Sequence, residues 1–285
     1  MYTIGLSHLA AGDAVSLSNM TALERMEHLR EQGVHIYLCF QSIQKMQPHF
    51  DHVLLDILIA DPRGHIVLQA SRHSMQTETL QRRLDATMRE RLCGDEFREC
   101  PAWLRGRSRI HFLPRVKSDD LFGLLRKASV ILHPFPFGGS KTASDAINAV
   151  VPLVTFPQKH LRGRMAATFI RAMDLGEVDP DAAACCIADS LSDYAAKAMR
   201  LASDLAYRSR VVHAIRERRH RMFGDKMIAV EWGLLLTRAL GLPMREEQIR
   251  SYVGFVPESR HKNAYISRVF EDEQSRWIRG VRRQR

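Results

Sequence analysis

The most informative stretch of the sequence, residues 133–145, joins an apolar run to two glycines and then to hydroxyl and charged side chains. It predicts the end of a strand, a turn, and a helix that begins with Ser140, Lys141 and Thr142. Glycines let an anion approach the backbone closely, and the amide hydrogens at a helix N-terminus face it. The pattern favours a phosphate site. It does not match the GxxxxGK[ST] loop, and an ordinary strand–helix turn remains an alternative.

A lysine follows the first predicted strand, residues 35–40, within the polar segment 39–45. In a parallel sheet the carboxyl ends of the strands share one edge, and ligands bind there where the strand order reverses. Lys45 is therefore expected at the same edge as the glycine-containing turn, where its charge can bind a phosphate. A solvated loop lysine is the alternative.

Strand-like apolar runs alternate with helical patterns through the first half of the chain. This alternation, without tight hairpins, predicts an α/β fold with a Rossmann-like, doubly wound parallel sheet. From about Leu161 onward the pattern is mainly helical, and a last helix is predicted to bury Trp232, Leu235 and Leu236. The predicted strands are residues 35–40, 65–70, 109–113, 130–133 and 152–156.

The composition is that of a globular protein of one large domain or two small ones, with 285 residues. No apolar run reaches the roughly 18 residues of a membrane helix, and no signal peptide is evident, so no membrane partner is expected. Lys and Arg number 42 against 32 Asp and Glu, and this net charge of +10 favours anionic partners.

The arginines are concentrated in two clusters. They fit either a solvated helix face and a loose tail or a nucleic-acid interface. Neither cluster has interleaved aromatic residues or a known motif, so nucleic acid is an improbable partner. The clusters are Arg208, Arg210, Arg216, Arg218, Arg219 and Arg221, and Arg276, Arg279, Arg282, Arg283 and Arg285.

Five cysteines and thirteen histidines are present, but no metal-ligand spacing such as HExxH occurs. Cys93 and Cys100 are too far apart in sequence for a CxxC pair, and Cys185 and Cys186 are adjacent. An odd number of cysteines without a secretion signal favours reduced thiols in a cytoplasmic or nuclear protein.

The segments 39–45 and 133–145, together with residues 109–112 and 162–167, resemble the C-terminal half of the catalytic region of protein O-GlcNAc transferases and SPINDLY O-fucosyltransferases. The resemblance covers about residues 33–241. It implies one Rossmann-like half of a GT-B fold. It also implies transfer of a sugar from a nucleotide donor such as UDP-GlcNAc to Ser or Thr hydroxyls of proteins, with inversion and without a metal or other cofactor.

The resemblance also implies roles for individual residues. Lys45 matches the lysine that stabilises the leaving diphosphate, and is thereby the predicted catalytic residue. Asp145 matches the carboxylate that binds the ribose hydroxyls, and Val116 falls where the backbone meets the uracil edge. The remaining donor-binding positions lie beneath the phosphates and are Gly139, Ser140, Lys141 and Thr142.

The sequence departs from the family pattern at four positions. Ser140 stands where O-GlcNAc transferases have histidine, Lys141 where they have threonine, and Leu121 where they have a base-stacking histidine. Val150 stands in place of a glycine. If its backbone is left-handed, the strain costs on the order of 1–3 kcal/mol.

The predicted domains are an N-terminal segment with a short helix (residues 1–33), the nucleotide-sugar-binding domain (34–241) and a basic C-terminal extension, partly helical (242–285). This arrangement indicates the donor-binding half alone, for which a separate N-terminal catalytic half or a helical-repeat protein would be a partner. It identifies no catalytic base. A catalytically silent UDP-sugar-binding or regulatory module is the alternative function.

Overall fold

A computed structural model describes residues 20–93, 100–223, 232–233, 235–237 and 239–241. The chain divides into two compact units, Met1–Met222 and Phe223–Arg285. The first unit contains the sheet, and none of the described helices is long and apolar enough to cross a membrane. The extension at 242–285 lies outside the described residues, so the domain boundaries stay predictions.

Five parallel strands form the sheet of the described region, in the order β3-β2-β1-β4-β5. Tyr37 of β1 lies opposite Ile66 of β2 on one side and Val130 of β4 on the other. The strands are β1 (His35–Cys39), β2 (Gly64–Gln69), β3 (Ile110–Leu113), β4 (Val130–Leu132) and β5 (Leu153–Val154). The predicted Rossmann-like fold class is confirmed, and each predicted strand lies within about two residues of its observed bounds.

Helices connect the strands and cover both faces of the sheet, as right-handed crossovers between parallel strands require. They are α1 (Ala22–Glu31), α2 (Pro48–Ala60), α3 (Ser74–Cys93), α4 (Pro101–Ser108), α5 (Ser118–Lys127), α6 (Ser140–Asn148), α7 (Leu161–Met173), α8 (Leu191–Ser203) and α9 (Leu205–Arg218). Short 3₁₀ turns occupy Ile43–Lys45, Leu175–Glu177, Pro180–Ala182 and Arg219–Met222.

Local sequence signals set the starts of the first two helices. The side chain of Thr21 accepts a hydrogen bond from the Glu24 amide, and the Glu24 carboxylate accepts one from the Thr21 amide. This reciprocal capping box was predicted from the spacing of the two residues. Pro48 begins α2, where its missing N–H would have had no helical partner. The helix α2 is mostly apolar and packs against α8, which makes it part of the core.

Arginine side chains bind the carboxyl ends of several helices. The Arg109 guanidinium donates to the carbonyls of Leu58 and Asp61 at the end of α2, at 2.7 and 2.8 Å. Unpaired carbonyls and the negative end of the helix dipole make these positions favourable for cations. The same contact is made by Arg208 to Ala202, Arg218 to Met173 and Arg219 to Asn148.

The first predicted arginine cluster is therefore largely bound within its own chain. Besides these carbonyl contacts, Arg210 pairs with Asp179 and Asp181, and Arg221 pairs with Asp174. This supports a structural role rather than a nucleic-acid surface. The second cluster, at residues 276–285, lies outside the described residues.

The expectation of reduced thiols is wrong for four of the five cysteines. Cys93 and Cys100 form a disulfide with their Cα atoms 5.9 Å apart, and the adjacent Cys185 and Cys186 form another. Cys39 is free and buried. Sequence spacing says little about the pairing of Cys93 with Cys100, because such a disulfide needs only a Cα separation of roughly 4.4–6.8 Å, and the packing of α4 on α3 provides it.

The prediction that the last helix buries its apolar residues is also wrong. In the second unit, Trp232, Leu235 and Leu236 are 57, 54 and 53% exposed. Their spacing is that of an amphipathic helix, but spacing alone does not determine whether a partner surface covers it.

Val150 has a left-handed backbone, with φ of 60°. It follows α6, where the resemblance led us to expect a glycine. Its amide donates to the Ile147 carbonyl, and the next amide, of Val151, donates to the Ala146 carbonyl. This is the hydrogen-bonding pattern that ends many helices, and a β-branched residue is strained there.

We expect Val150→Gly to raise the free energy of unfolding by about 0.5–1 kcal/mol, because relief of the left-handed strain exceeds the entropy that glycine adds to the unfolded chain. Thermal and urea unfolding measure the change. Val151→Gly is the control: Val151 is 5% exposed and has no positive φ, so this variant is expected to be less stable than wild type. A Val150→Gly protein less stable than wild type contradicts the strain argument.

Candidate functional site

Two loops meet at the carboxyl edge of the sheet, where β1 and β4 lie side by side. The chain leaves β1 toward β2 on one side and enters β4 on the other, so this is the point at which the strand order reverses. The turn Ile43–Lys45 follows β1, and the segment between β4 and α6 follows β4. An isolated bridge between Met46 and Pro136 holds the two loops together.

A buried glutamine links the predicted catalytic lysine to the start of α6. The Lys45 ammonium donates to Gln41 Oε1 at 2.9 Å, and Gln41 Nε2 donates to Thr142 Oγ1. Only 6% of Gln41 is exposed. An ammonium can only donate, so the amide oxygen faces Lys45 and the amide nitrogen faces Thr142. The Thr142 hydroxyl accepts this bond, which leaves its own hydrogen free to donate to a ligand.

A buried ion pair supports the turn that carries Lys45. Arg83 of α3 binds the fully buried Asp51 carboxylate at 2.5 and 3.0 Å and donates to the Met46 carbonyl at 2.9 Å. Burial raises the pKa of Asp51, while the hydrogen bonds and charge of Arg83 oppose that shift. Lys45 is itself half-buried, and desolvation lowers the pKa of its ammonium. Arg83 was not predicted as part of the site.

The two glycines of the turn are required by close contacts. A Cβ on Gly138 would overlap the imidazole ring of His133, and one on Gly139 would overlap the Gln41 amide and the Thr142 hydroxyl. No side chain caps the N-terminus of α6, and its first turn contains no acidic residue. The start of α6 therefore presents amide hydrogens and positive dipole potential, which favour an anion.

Lys141 and Asp145 bind each other one turn apart on α6. The ammonium donates to both carboxylate oxygens, at 2.9 and 2.8 Å. The Lys141 side chain is 81% exposed, whereas that of Asp145 is 12% exposed. Their predicted roles, on the phosphates and on the ribose, stay predictions. In this structure the lysine charge is directed at the carboxylate, and Ser140 is exposed at the first position of the helix.

Val116 lies at the same edge of the sheet but further from the other predicted residues. It follows β3, which β2 separates from β1. It is partly buried against the core, as is Leu121. The predicted contact of Val116 with uracil stays a prediction.

Five site residues were missed as functional residues by the sequence analysis: Gln41, Arg83, His133, Phe137 and Arg162. The exposed ring of Phe137 lies 5.1 Å from the Lys45 ammonium and 5.5 Å from the Arg162 guanidinium. Gln41 and His133 directly follow buried strands, a signal that could have found them. Phe137 and Arg162 lie in segments that the sequence analysis had quoted without giving either residue a role.

The buried imidazole of His133 supports the turn as a hydrogen-bond acceptor. The Gly139 amide donates to its Nε2 at 2.8 Å, so the ring hydrogen is on Nδ1 and donates to Thr155 Oγ1 at 3.0 Å. Burial lowers the pKa of His133 to about 4; the hydrogen bond to the Gly139 backbone opposes this shift, and the nearby Lys45 charge adds to it. Protonation would place a second hydrogen opposite the Gly139 amide.

We expect the neutral His133 to make stability depend on pH. Its pKa is about 4 when folded and ordinarily 6.5, so its contribution is fully present above pH 6.5 and is lost as the pH falls toward 4. The free energy of unfolding should decline by up to about 1.4 kcal/mol per pH unit in that window from this group. Urea unfolding at several pH values measures it. His133→Gln should flatten the profile relative to the exposed-site control His213→Gln; identical slopes would contradict the assignment.

No three His, Cys, Asp or Glu side chains in the described part of the chain are grouped as a metal ion would require. Sugar transfer without a metal ion stays a prediction.

Solved structures with the same architecture include a mutant O-GlcNAc transferase of Thermobaculum terrenum, with 22% identity, a TM-score of 0.54, and coverage of 68% of this chain and 33% of that one. Anabaena HepE in complex with UDP and glucose has 14% identity, a TM-score of 0.49, and coverage of 83% and 55%. A UDP-forming trehalose-phosphate synthase of Burkholderia vietnamiensis has 16% identity, a TM-score of 0.47, and coverage of 80% and 51%.

The chain thus spans between one third and about one half of the length of these proteins. No protein-family model matches it, and neither does any curated protein. At these identities the likeness to the Thermobaculum protein shows the fold: this is a Rossmann-like domain of the kind found in GT-B glycosyltransferases.

Proposed function

We propose that this chain is the donor-binding half of a nucleotide-sugar glycosyltransferase of the O-GlcNAc transferase type, which transfers N-acetylglucosamine from UDP-GlcNAc to Ser or Thr hydroxyls of proteins. The observation that carries this proposal is the hydrogen-bonded connection from Lys45 through Gln41 to Thr142, placed where the sheet order reverses. It joins a cation to a helix N-terminus, and both favour a diphosphate.

In this proposal the donor diphosphate lies over the turn between β4 and α6. The bond from the anomeric carbon to the β-phosphate oxygen breaks, and its electron pair stays on that oxygen. The acceptor hydroxyl oxygen forms the new bond to the anomeric carbon from the opposite face, and the hydroxyl proton is lost to water. Negative charge grows on the diphosphate as the bond breaks, and Lys45 and the α6 amides stabilise it without a metal.

Binding at this site would require Lys141 and Asp145 to separate. Asp145 then accepts hydrogen bonds from the ribose hydroxyls, and Lys141 becomes available to the phosphates. Lys141 is exposed whereas the Asp145 carboxylate is mostly buried, so a ligand has to replace the hydrogen bonds that the carboxylate loses. The ribose hydroxyls would do so in the role that the resemblance implies for Asp145.

The partners proposed are UDP-GlcNAc or a related nucleotide sugar, a protein acceptor, and a second polypeptide or domain that supplies the other wall of the cleft. The compartment proposed is the cytoplasm or nucleus, as the resemblance implies, although the two disulfides are of a kind that is rare in reducing compartments. Nucleic acid is not a proposed partner, because the arginines of residues 208–221 bind mainly to their own chain.

A catalytically silent UDP-sugar-binding module is the second candidate. It fits a chain that covers 33% of the O-GlcNAc transferase structure to which it is similar and in which no described residue is assigned as a catalytic base. Both functions require binding of UDP, and they differ in turnover.

We expect UDP and UDP-GlcNAc to bind the intact chain, and Lys45→Ala to weaken the binding of both at least tenfold, since a hydrogen bond to a charged group contributes about 1.5–3 kcal/mol. Isothermal titration calorimetry measures the affinities. Arg216→Ala removes one exposed positive charge from α9 and should bind like wild type. Absence of UDP binding by folded wild-type protein would refute the proposed donor site.

We expect the chain by itself to transfer no sugar, because no described residue has been assigned as a base and the chain covers 33% of the O-GlcNAc transferase structure to which it is similar. Incubation of the chain with labelled UDP-GlcNAc and a Ser/Thr-rich peptide tests this. Turnover by the chain alone would overturn the expectation that the other half is needed, and would exclude the silent module.

A further inference from the structure

Two cations share one aromatic ring at the candidate site. Phe137, in the turn between β4 and α6, is 41% exposed, and the Lys45 ammonium and Arg162 guanidinium lie 5.1 and 5.5 Å from its ring centroid. The negative face of the ring attracts both cations, with an energy that is small at an exposed position. That is enough to orient two flexible side chains and too little to prevent them from binding an anion.

Backbone contacts fix the start of α7 against the same turn. The Gly138 amide donates to the Arg162 carbonyl at 3.1 Å. Next to it, a Cβ on Gly163 would overlap the Pro136 carbonyl, so only glycine permits this approach. Arg162 is therefore placed beside the turn by main-chain geometry, and its position does not depend on the ring contact alone.

The cationic side chains around the turn differ in whether they contact a carboxylate. Lys141 is bound to Asp145, whereas in the described residues neither Lys45 nor Arg162 contacts a carboxylate. The first turn of α7 also contains no acidic residue. An anion over the turn would therefore meet two cations whose charge no acidic side chain of the described region neutralises.

We propose that Arg162 binds the donor diphosphate together with Lys45 and stabilises its charge as the sugar leaves, with Phe137 orienting both cations. This inference rests on the proposed function. A guanidinium presents paired N–H donors to phosphate oxygens and keeps its charge at all relevant pH values, which complements the single ammonium of Lys45. The electron pair of the broken bond stays on the β-phosphate oxygen, where Arg162 offsets the new charge.

The test compares three ligands and two arginines. Calorimetric affinities for UDP, UMP and uridine are measured with wild type, Arg162→Gln, Arg162→Lys and Arg164→Gln. Arg164 is the matched control, because it is exposed in the same first turn of α7. Circular dichroism confirms that each variant is folded, as expected for exposed positions.

We expect Arg162→Gln to weaken UDP binding about tenfold or more, UMP binding less, and uridine binding not at all. Arg162→Lys should recover part of the loss, and Arg164→Gln should match wild type. If wild type binds UDP and Arg162→Gln binds it equally well, this inference is wrong, whereas the proposed donor site stands. Equal losses of UDP affinity in Arg162→Gln and Arg164→Gln also overturn it, since they indicate only the overall positive potential of the surface. Wild type that does not bind UDP overturns both proposals.

Discussion

The site depends on the adjacency of β1 and β4. Because these two strands are neighbours, the segment after β1 and the segment after β4 emerge at one point, and Gln41 can span the gap between them. Its amide binds Lys45 through the oxygen and Thr142 through the nitrogen. A side chain with only donors could not bind the Lys45 ammonium, and one with only acceptors would use the hydroxyl hydrogen of Thr142. Gly139 leaves the space that this amide occupies, and Gly138 leaves the space for the His133 ring.

Opposite ends of the helices create opposite electrostatic environments at the two edges of the sheet. At the carboxyl edge the helices begin, so amide hydrogens and dipole ends favour anions, and the start of α6 has no capping side chain that would satisfy them. At the amino edge the helices end, and arginines such as Arg208 and Arg219 bind their last carbonyls. Three arginines of the first cluster, Arg208, Arg218 and Arg219, have this structural use. The positive charge near Phe137 is free for a ligand.

The sequence was most informative where the signal is local. The capping box at Thr21, the proline start of α2 and the β–α alternation are short-range patterns, and the structure agrees with each. The left-handed backbone of Val150 was suspected only because of the resemblance, and φ of 60° confirms it. Predictions of side-chain burial or cysteine pairing that depend on a distant segment were wrong. The disulfides and the exposed Trp232 are examples, because spacing does not specify what lies opposite.

By itself, the sequence determined the fold class and the two segments of the candidate site, since periodicity, caps and glycine turns act over a few residues. Only the tertiary structure decided which side chains meet. Gln41 and Thr142 are 101 positions apart, and nothing local to either indicates the other. Phe137 and Arg162 come together because Gly163 lets the start of α7 approach the turn, where the Gly138 amide binds the Arg162 carbonyl. Strand order and close packing set such contacts, and both are properties of the whole folded chain.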